Sequence, residues 1–559
     1  MRTTIALALL ATLSGPAPVA AAQEVLTSGR PVPPEQACYD VLSYRLELRV
    51  DPETRSISGT GEMRGRLLED AEVVSLDLSD AFEVTGLHLV DGAGRHEVSG
   101  VHEDGEVRLR VGDAFRARGV AAGEEFTVAV QYHGQPRVAP NPPWDGGFQW
   151  SKTASGAPWI ATSNQMQGAD LWWPCKDQPD DEPDAMDIVV SVPEGVMCVS
   201  NGQLVEGGEV ADGWSRWHWR VTTPINAYGV ALNIAPYETI TREYESVAGD
   251  TFPITYWVLP ENLEKGKVLF EDILRQTRWF EETFGPYPFR GDKYGVAETP
   301  HLGMEHQTII AYGNEYRGNP WGDDQGFDFL HHHEMAHEWW ANLVTCRNWK
   351  DFWIHESFAT YAQALYTEHL NGPAAYRHRM EETRGLLANV APIAPREDMD
   401  AASIYQGGAG GDIYYKGAWA LHTLRFLVGD ETFFRALRRM AYPEPELEAK
   451  RDGSACRFAD TEEIVRIAEE VTGHELDWFF ELYLRQPRLP ELLVAREGST
   501  LVLRWKTPKD LPFPMPVEIE VGAERRRIEL QGGEARVEVG KAKVTIDPDR
   551  WLLKKDTDE

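Results

Sequence analysis

From Tyr44 to about residue 245 apolar positions alternate with polar ones. Tyr44, Leu46, Leu48 and Val50 share one face of one segment, and Phe126, Val128, Val130 and Tyr132 share one face of another. A period of two predicts half-buried strands. Asp51-Pro52, Asp91-Gly92 and Gly207-Gly208 are the expected turns, so residues 23–245 read as a mostly antiparallel β domain. Near residue 260 the period lengthens. Leu269, Phe270, Ile273, Leu274, Thr277, Phe280 and Phe284 fall at helical spacing and stop at Gly285-Pro286. Helical patterns continue through Lys416–Val428 and Thr461–Val471, giving a mainly helical domain over residues 246–488. Within it, Asn389–Gly411 carries Pro392, Pro395 and two Gly pairs without a period, and reads as a long loop of the kind that is usually functional. Alternation returns at Val517, Ile519 and Val521 and again at Val537, Val539, Val544 and Ile546, which predicts a small C-terminal β-sandwich over residues 489–559. The fold class is multidomain α+β, and no internal repeat is visible.

Composition changes this picture in two places. Acidic residues outnumber basic ones 89 to 55 in 559 residues, a formal net charge of −34. A surface this acidic repels phosphate backbones, so nucleic acid is excluded as a general partner; the charge reads first as a solvating surface and second as a field for cationic ligands. A hydrophobic share of 42% with 19 Trp excludes intrinsic disorder. At the N-terminus Arg2, the apolar run Ile5–Leu13 and Ala20-Ala21-Ala22 form a signal-peptide pattern over residues 1–22, so a secreted or periplasmic protein is expected. No later apolar run is long enough for a membrane span. The five cysteines are too few and too scattered for a disulfide framework, although one or two bridges are compatible with export.

The densest chemical signal is His333-Glu334-Met335-Ala336-His337. On a helix His333 and His337 project from one face a turn apart and converge on one metal, while Glu334 reaches a metal-activated water without being a ligand. Such a five-residue pattern also arises by chance, and a catalytic zinc site needs a third protein ligand. Glu356 follows His337 after 18 intervening residues, within Trp353–Ala359, which reads as the start of a second helix. A hairpin of two helices, the first completed by Glu338–Thr345, brings that carboxylate to the metal. His331, His332 and His355 are secondary candidates, because neighbouring residues on a helix point in different directions.

These residues resemble the zinc aminopeptidases that include aminopeptidase N and the leukotriene hydrolase, a branch of the gluzincins. Further landmarks run in family order: Gln165–Asp177 (QMQGADLWWPCKD), Phe284–Phe289 (FGPYPF), Leu302–His306 (LGMEH) and Tyr414–Gly417 (YYKG). The resemblance implies a thermolysin-like catalytic domain over residues 246–488 with one Zn²⁺ per chain held by His333, His337 and Glu356. It implies Glu334 as general base and acid toward a zinc-activated water, and Tyr414 as the donor to the tetrahedral oxyanion. Glu305 would anchor a free α-amine with help from Gln165, for which Gln167 is the gapped alternative, and Gly303 and Met304 would bind the peptide backbone as an added strand. The substrates implied are peptides with a free N-terminal amine.

Two departures stand out. Leu302 and His306 replace the first and last residues of the usual Gly-x-Met-Glu-Asn, and His306 is expected to add a titratable group near the site. Only a β domain follows residue 488, so more open access to the metal is expected. The leading reading is a secreted zinc aminopeptidase. A zinc endopeptidase would need no amine anchor, a leukotriene-type epoxide hydrolase would need an extended lipid tunnel, and a non-catalytic peptide-binding scaffold would not need the intact metal and base residues. Oligomeric state cannot be read from the sequence.

Overall fold

The computed structural model describes residues 28–165, 168–405 and 409–555. The signal-peptide pattern and Gln167 lie outside the described residues. The N-terminal part is built on an eight-stranded sheet in the order Gln203–Ala211, Trp214–Val221, Ala185–Pro193, Tyr39–Asp51, Ser56–Leu67, Glu125–Gly134, Phe82–Asp91, Gly94–Glu97. Its strands follow the alternation. In Tyr39–Asp51 the side chains of Tyr44, Leu46, Leu48 and Val50 are buried while Glu47 and Arg49 are exposed. All pairings in this sheet are antiparallel except one, in which Leu46 of Tyr39–Asp51 lies beside Ile188 of a parallel strand.

One expected turn is corrected. Gln203–Ala211 runs through Gly207-Gly208 as a continuous strand, and its hairpin turns at Asp212-Gly213, with φ of 55° and 77°. That pair of left-handed residues matches the twist a two-residue hairpin requires. Gly207 has a packing role instead, because a side chain there would collide with the ring of Trp217 on the neighbouring strand.

The division expected at residues 245/246 falls at the turn of a hairpin whose two strands, Glu238–Glu245 and Thr251–Val258, both join a second sheet. That sheet continues through Tyr294–Glu298 and Ile310–Tyr312 and ends on the edge strand Gly303–Met304. Helix α1 (Leu263–Phe284) buries Leu269, Phe270, Ile273, Phe280 and Phe284 and stops at Gly285, φ 109°. Helices α2 (Phe329–Ala336), α3 (Trp353–Asn371), α4 (Pro373–Arg384) and α5 (Asp412–Val428) follow. Asp328 caps α2 by accepting a hydrogen bond from the His331 amide (3.0 Å).

Two further boundaries differ from expectation. Helix α5 begins at Asp412 rather than near Lys416, which places Tyr414 in its first turn. The stretch read as a loop contains a short helix, Ala401–Ile404, started by the Asp400 side chain accepting from the Ser403 amide (2.7 Å). The C-terminal residues form two three-stranded antiparallel sheets, and their Leu503, Val517 and Ile519, with Met515 just before the strand Val517–Val521, continue the apolar core of the helical part. All five cysteines are free thiols, and no described helix is long and apolar enough to cross a membrane.

Candidate metal centre and active site

His333 and His337 face each other across one turn of α2, with Nε2 atoms 3.3 Å apart. Glu356, in the first turn of α3, places Oε2 3.2 Å from His333 Nε2 and 3.7 Å from His337 Nε2. Tetrahedral zinc with bonds of about 2.0–2.1 Å holds its donor atoms about 3.3–3.4 Å apart. The triangle therefore has the right size, and two imidazoles plus one carboxylate form a catalytic zinc donor set. His337 Nδ1 faces the Trp340 carbonyl at 3.0 Å, so its proton sits there and the Nε2 lone pair points to the shared centre.

The connection that delivers Glu356 is not a simple helix hairpin. Helix α2 ends at Ala336, and Glu338–Thr345 does not complete it. Asn342, Leu343 and Val344 donate to the carbonyls of His337, Glu338 and Trp339, five residues back, and so open a wide turn. The buried tryptophans explain the break: Trp339 Nε1 donates to the Gly285 carbonyl (3.1 Å), and Trp340 stacks on Phe358 at 4.1 Å. Strand Val344–Cys346 then pairs in parallel with Arg457–Ala459, and a tight turn at Trp349–Asp351 leads into α3.

The other histidines have structural partners or apolar surroundings. His331 is held between Gln276 Oε1 and the Tyr294 hydroxyl, each at 2.7 Å. His355 Nε2 accepts from the Cys346 amide at 2.8 Å. His332 stacks on Tyr366 among aromatic rings. None of the three belongs to the ligand triangle.

Glu334, Glu305, Gln165, Gly303, Met304 and Tyr414 line one cavity of about 430 Å³ together with the three candidate ligands. Glu305, only 2% exposed, lies beside His337 and receives a hydrogen bond from Gln165 Nε2 at 3.3 Å; the same amide reaches Glu356 Oε1 at 3.1 Å. Asn342 Nδ2 donates to the Glu305 carbonyl (3.1 Å), which ties this segment to the turn after α2. Burial raises the carboxyls of Glu305 and Glu356, and burial with the charges of those two neighbours pushes Glu334 well above the usual range. Three glutamates buried together without a lysine or arginine ion pair among the described residues form a site whose chemistry calls for a cation.

The Tyr414 ring lies over His333 at 6.2 Å, and its hydroxyl shares a 2.7 Å hydrogen bond with that of Tyr405. Tyr405 also donates to Glu356 Oε1 at 3.4 Å. Sequence reasoning missed Tyr405; its only signal was its place in the aperiodic stretch. Also missed were Arg379, Gln363 and Thr360 on the cavity wall and the exposed Trp144 and Trp321. The expectation for His306 is corrected: it is fully buried, does not line the cavity, and faces His301 at 6.4 Å, with burial and His301 pushing its imidazole far down.

Gly303 has a steric reason. A methyl on it would strike the Glu334 carboxylate and lie 2.7 Å from Leu330 Cδ1. The carboxylate is the end of a flexible chain and can swing away, so Gly303→Ala is expected to leave the melting temperature nearly unchanged. A displacement of about 1 Å at a reacting group costs on the order of 100-fold. Activity should therefore fall at least tenfold, read by comparing kcat with a thermal melt; unchanged kcat would refute the contact.

Residues 40–228 match the description "Peptidase M1 N-terminal domain", and residues 273–482 match "Peptidase family M1 domain". The chain belongs to peptidase family M1. Within this family it is 26% identical over 373 residues to an aminopeptidase N of Streptomyces lividans, and 24% identical over 363 residues to aminopeptidase N of Escherichia coli K12. Each match covers 60% of this chain and 40% of the relative, so the chain spans about two fifths of the length of these M1 relatives. Among solved structures, an M1 zinc metallopeptidase from Deinococcus radiodurans, in a mutant form bound to a Tyr-Ser-Ala substrate, has a TM-score of 0.64. It is 22% identical, and the alignment covers 83% of this chain and 96% of that one, which shows a shared fold.

Proposed function

We propose that this M1 chain is a zinc-dependent aminopeptidase that removes the N-terminal residue from peptides. The observation that carries this reading is the buried Glu305 carboxylate beside His337, steadied by the Gln165 amide that donates to it and to Glu356, set where a free α-amine can be held next to the metal triangle. His333, His337 and Glu356 would hold one zinc, which supplies Lewis acidity and lowers the pKa of water toward about 7. Glu334, for which no hydrogen-bond partner stands among the described residues, is free to accept the proton of the attacking water at its carboxylate and return it to the departing amine. Tyr414 donates its hydroxyl hydrogen to the carbonyl oxygen as negative charge develops there, and Tyr405 orients that hydroxyl. The edge of Gly303–Met304 lets a substrate backbone add as a further strand. The same reading takes the two C-terminal sheets as a small β-sandwich.

The amine anchor has its own test. Glu305→Gln removes a charge-assisted hydrogen bond worth about 1.5–3 kcal/mol, so KM for free-amine substrates should rise about ten- to a hundredfold. Equal KM in the wild type and the variant would remove Glu305 from the role.

A further inference from the structure

The cavity has two chemically different ends. Glu305 and Gln165 stand beside His337, at the C-terminal end of α2. At the other end, near the start of α2, the guanidinium of Arg379 from α4 lies 4.4 Å over the ring of Phe329. Arg379 is 8% exposed, yet it lines the cavity and is its only arginine or lysine among the described residues. Its one hydrogen bond there goes from Nη1 to Glu382 Oε2 at 3.3 Å, one turn along its own helix. A guanidinium has five N–H donors, so this cation is buried with most of its donors unused by the described residues. An arginine kept in that condition on a cavity wall is a built receptor for a planar anion, because its fork matches a carboxylate in a bidentate pair.

We propose that Arg379 binds a substrate carboxylate on the leaving-group side of the scissile bond, making peptides with a carboxylate at the second or third residue the preferred substrates. The inference rests on the aminopeptidase reading, which fixes the amine at Glu305. Phe329 precedes His337 by eight residues, about 12 Å along α2 at 1.5 Å per residue. A peptide of two or three residues spans about 7–10 Å, and a hydrogen bond of about 2.8 Å at each end extends its reach past 12 Å. A substrate anchored at Glu305 therefore crosses the metal triangle and arrives at Arg379 within its third residue. The carboxylate has two sources, the C-terminus of a di- or tripeptide or an Asp or Glu side chain.

The test compares Ala-Ala with Ala-Ala-amide, and Ala-Glu-amide with Ala-Gln-amide. Calorimetric binding to the zinc-loaded Glu334→Gln protein reads the contact without catalysis. At least one pair should show about ten- to a hundredfold tighter binding of the carboxylate member. The first pair identifies the C-terminus as the source and the second the side chain. Arg379→Met should bring the ratio close to one, and Arg379→Lys should restore part of it; in active protein the same difference should appear in KM and not in kcat. If Arg379→Met does not fold, the comparisons on protein with Arg379 intact still decide. Equal affinity within both pairs, or a preference that survives Arg379→Met, overturns the inference. Absence of any carboxylate preference in protein that retains Arg379, with N-terminal cleavage intact, would refute only the role of Arg379, whereas failure to cleave any free-amine peptide would refute the underlying function.

Discussion

Glu334→Gln is expected to lower kcat by about 10²- to 10⁴-fold while leaving zinc content and substrate affinity nearly unchanged. The substitution keeps the shape of the side chain and removes its ability to take a proton. Glu334 lines the cavity at 6% exposure, one residue after a metal-facing histidine, with its carboxylate in the space left by the absent side chain of Gly303. An amide in the same space can still orient a water, so binding survives when turnover fails. Steady-state kinetics with metal analysis of the same preparation checks this. A variant within about threefold of the wild type would show that the proton moves through another group, for which Glu305 is a neighbouring carboxylate.

Removing a ligand should have the other large effect. His337→Ala takes away the donor whose Nδ1 is fixed by the Trp340 carbonyl and leaves His333 and Glu356 as a two-point site. Purified protein should lose most of its zinc and its activity should fall to background, because a catalytic zinc site is held by three protein ligands. The wild type should melt higher with zinc than with a chelator, since a ligand at about 1,000 times its Kd stabilises the folded state by about 4 kcal/mol; the variant should lose that difference. His331→Ala provides the contrast. Its ring is tied to Gln276 and Tyr294, so the fold should weaken while zinc stoichiometry is kept. Full zinc occupancy in His337→Ala would mean that the metal is held elsewhere.

Much of this arrangement was legible in the sequence because it depends on local period. The half-buried strand Tyr39–Asp51 and helix α1 bury the faces that alternation and helical spacing assign to them, and the spacing of His333, His337 and Glu356 anticipated the triangle. What stayed hidden depends on contacts between distant segments. The end of α2 at Ala336 follows from where Trp339 and Trp340 find their packing partners, and the continuous strand through Gly207-Gly208 from the ring of Trp217. His306 stands next to the amine anchor in sequence, yet its side chain turns away toward His301 and leaves the cavity wall unchanged, whereas Leu302, the other altered position, lines the cavity. Arg379 and Tyr405 belong to no recognisable spacing. Only the folded chain brings α4 to Phe329 and the segment after Ala401–Ile404 to Glu356.

Arg379 also changes how the net charge of −34 bears on substrates. The overall field favours cations, and in the proposed function Glu305 uses that preference at the amine. At the other end of the cavity Arg379 is the proposed carboxylate site, which would set selectivity inside the site rather than by the surface.

The central claim is that the buried Glu305 makes this metal centre an exopeptidase. Mass spectrometry of the products from one peptide of about ten residues, offered with a free and with an acetylated N-terminus to zinc-loaded protein, tests it most directly. The free peptide should lose residues one at a time from its N-terminus while the acetylated peptide remains intact. Cleavage of both at the same internal bonds, or of neither, would contradict it.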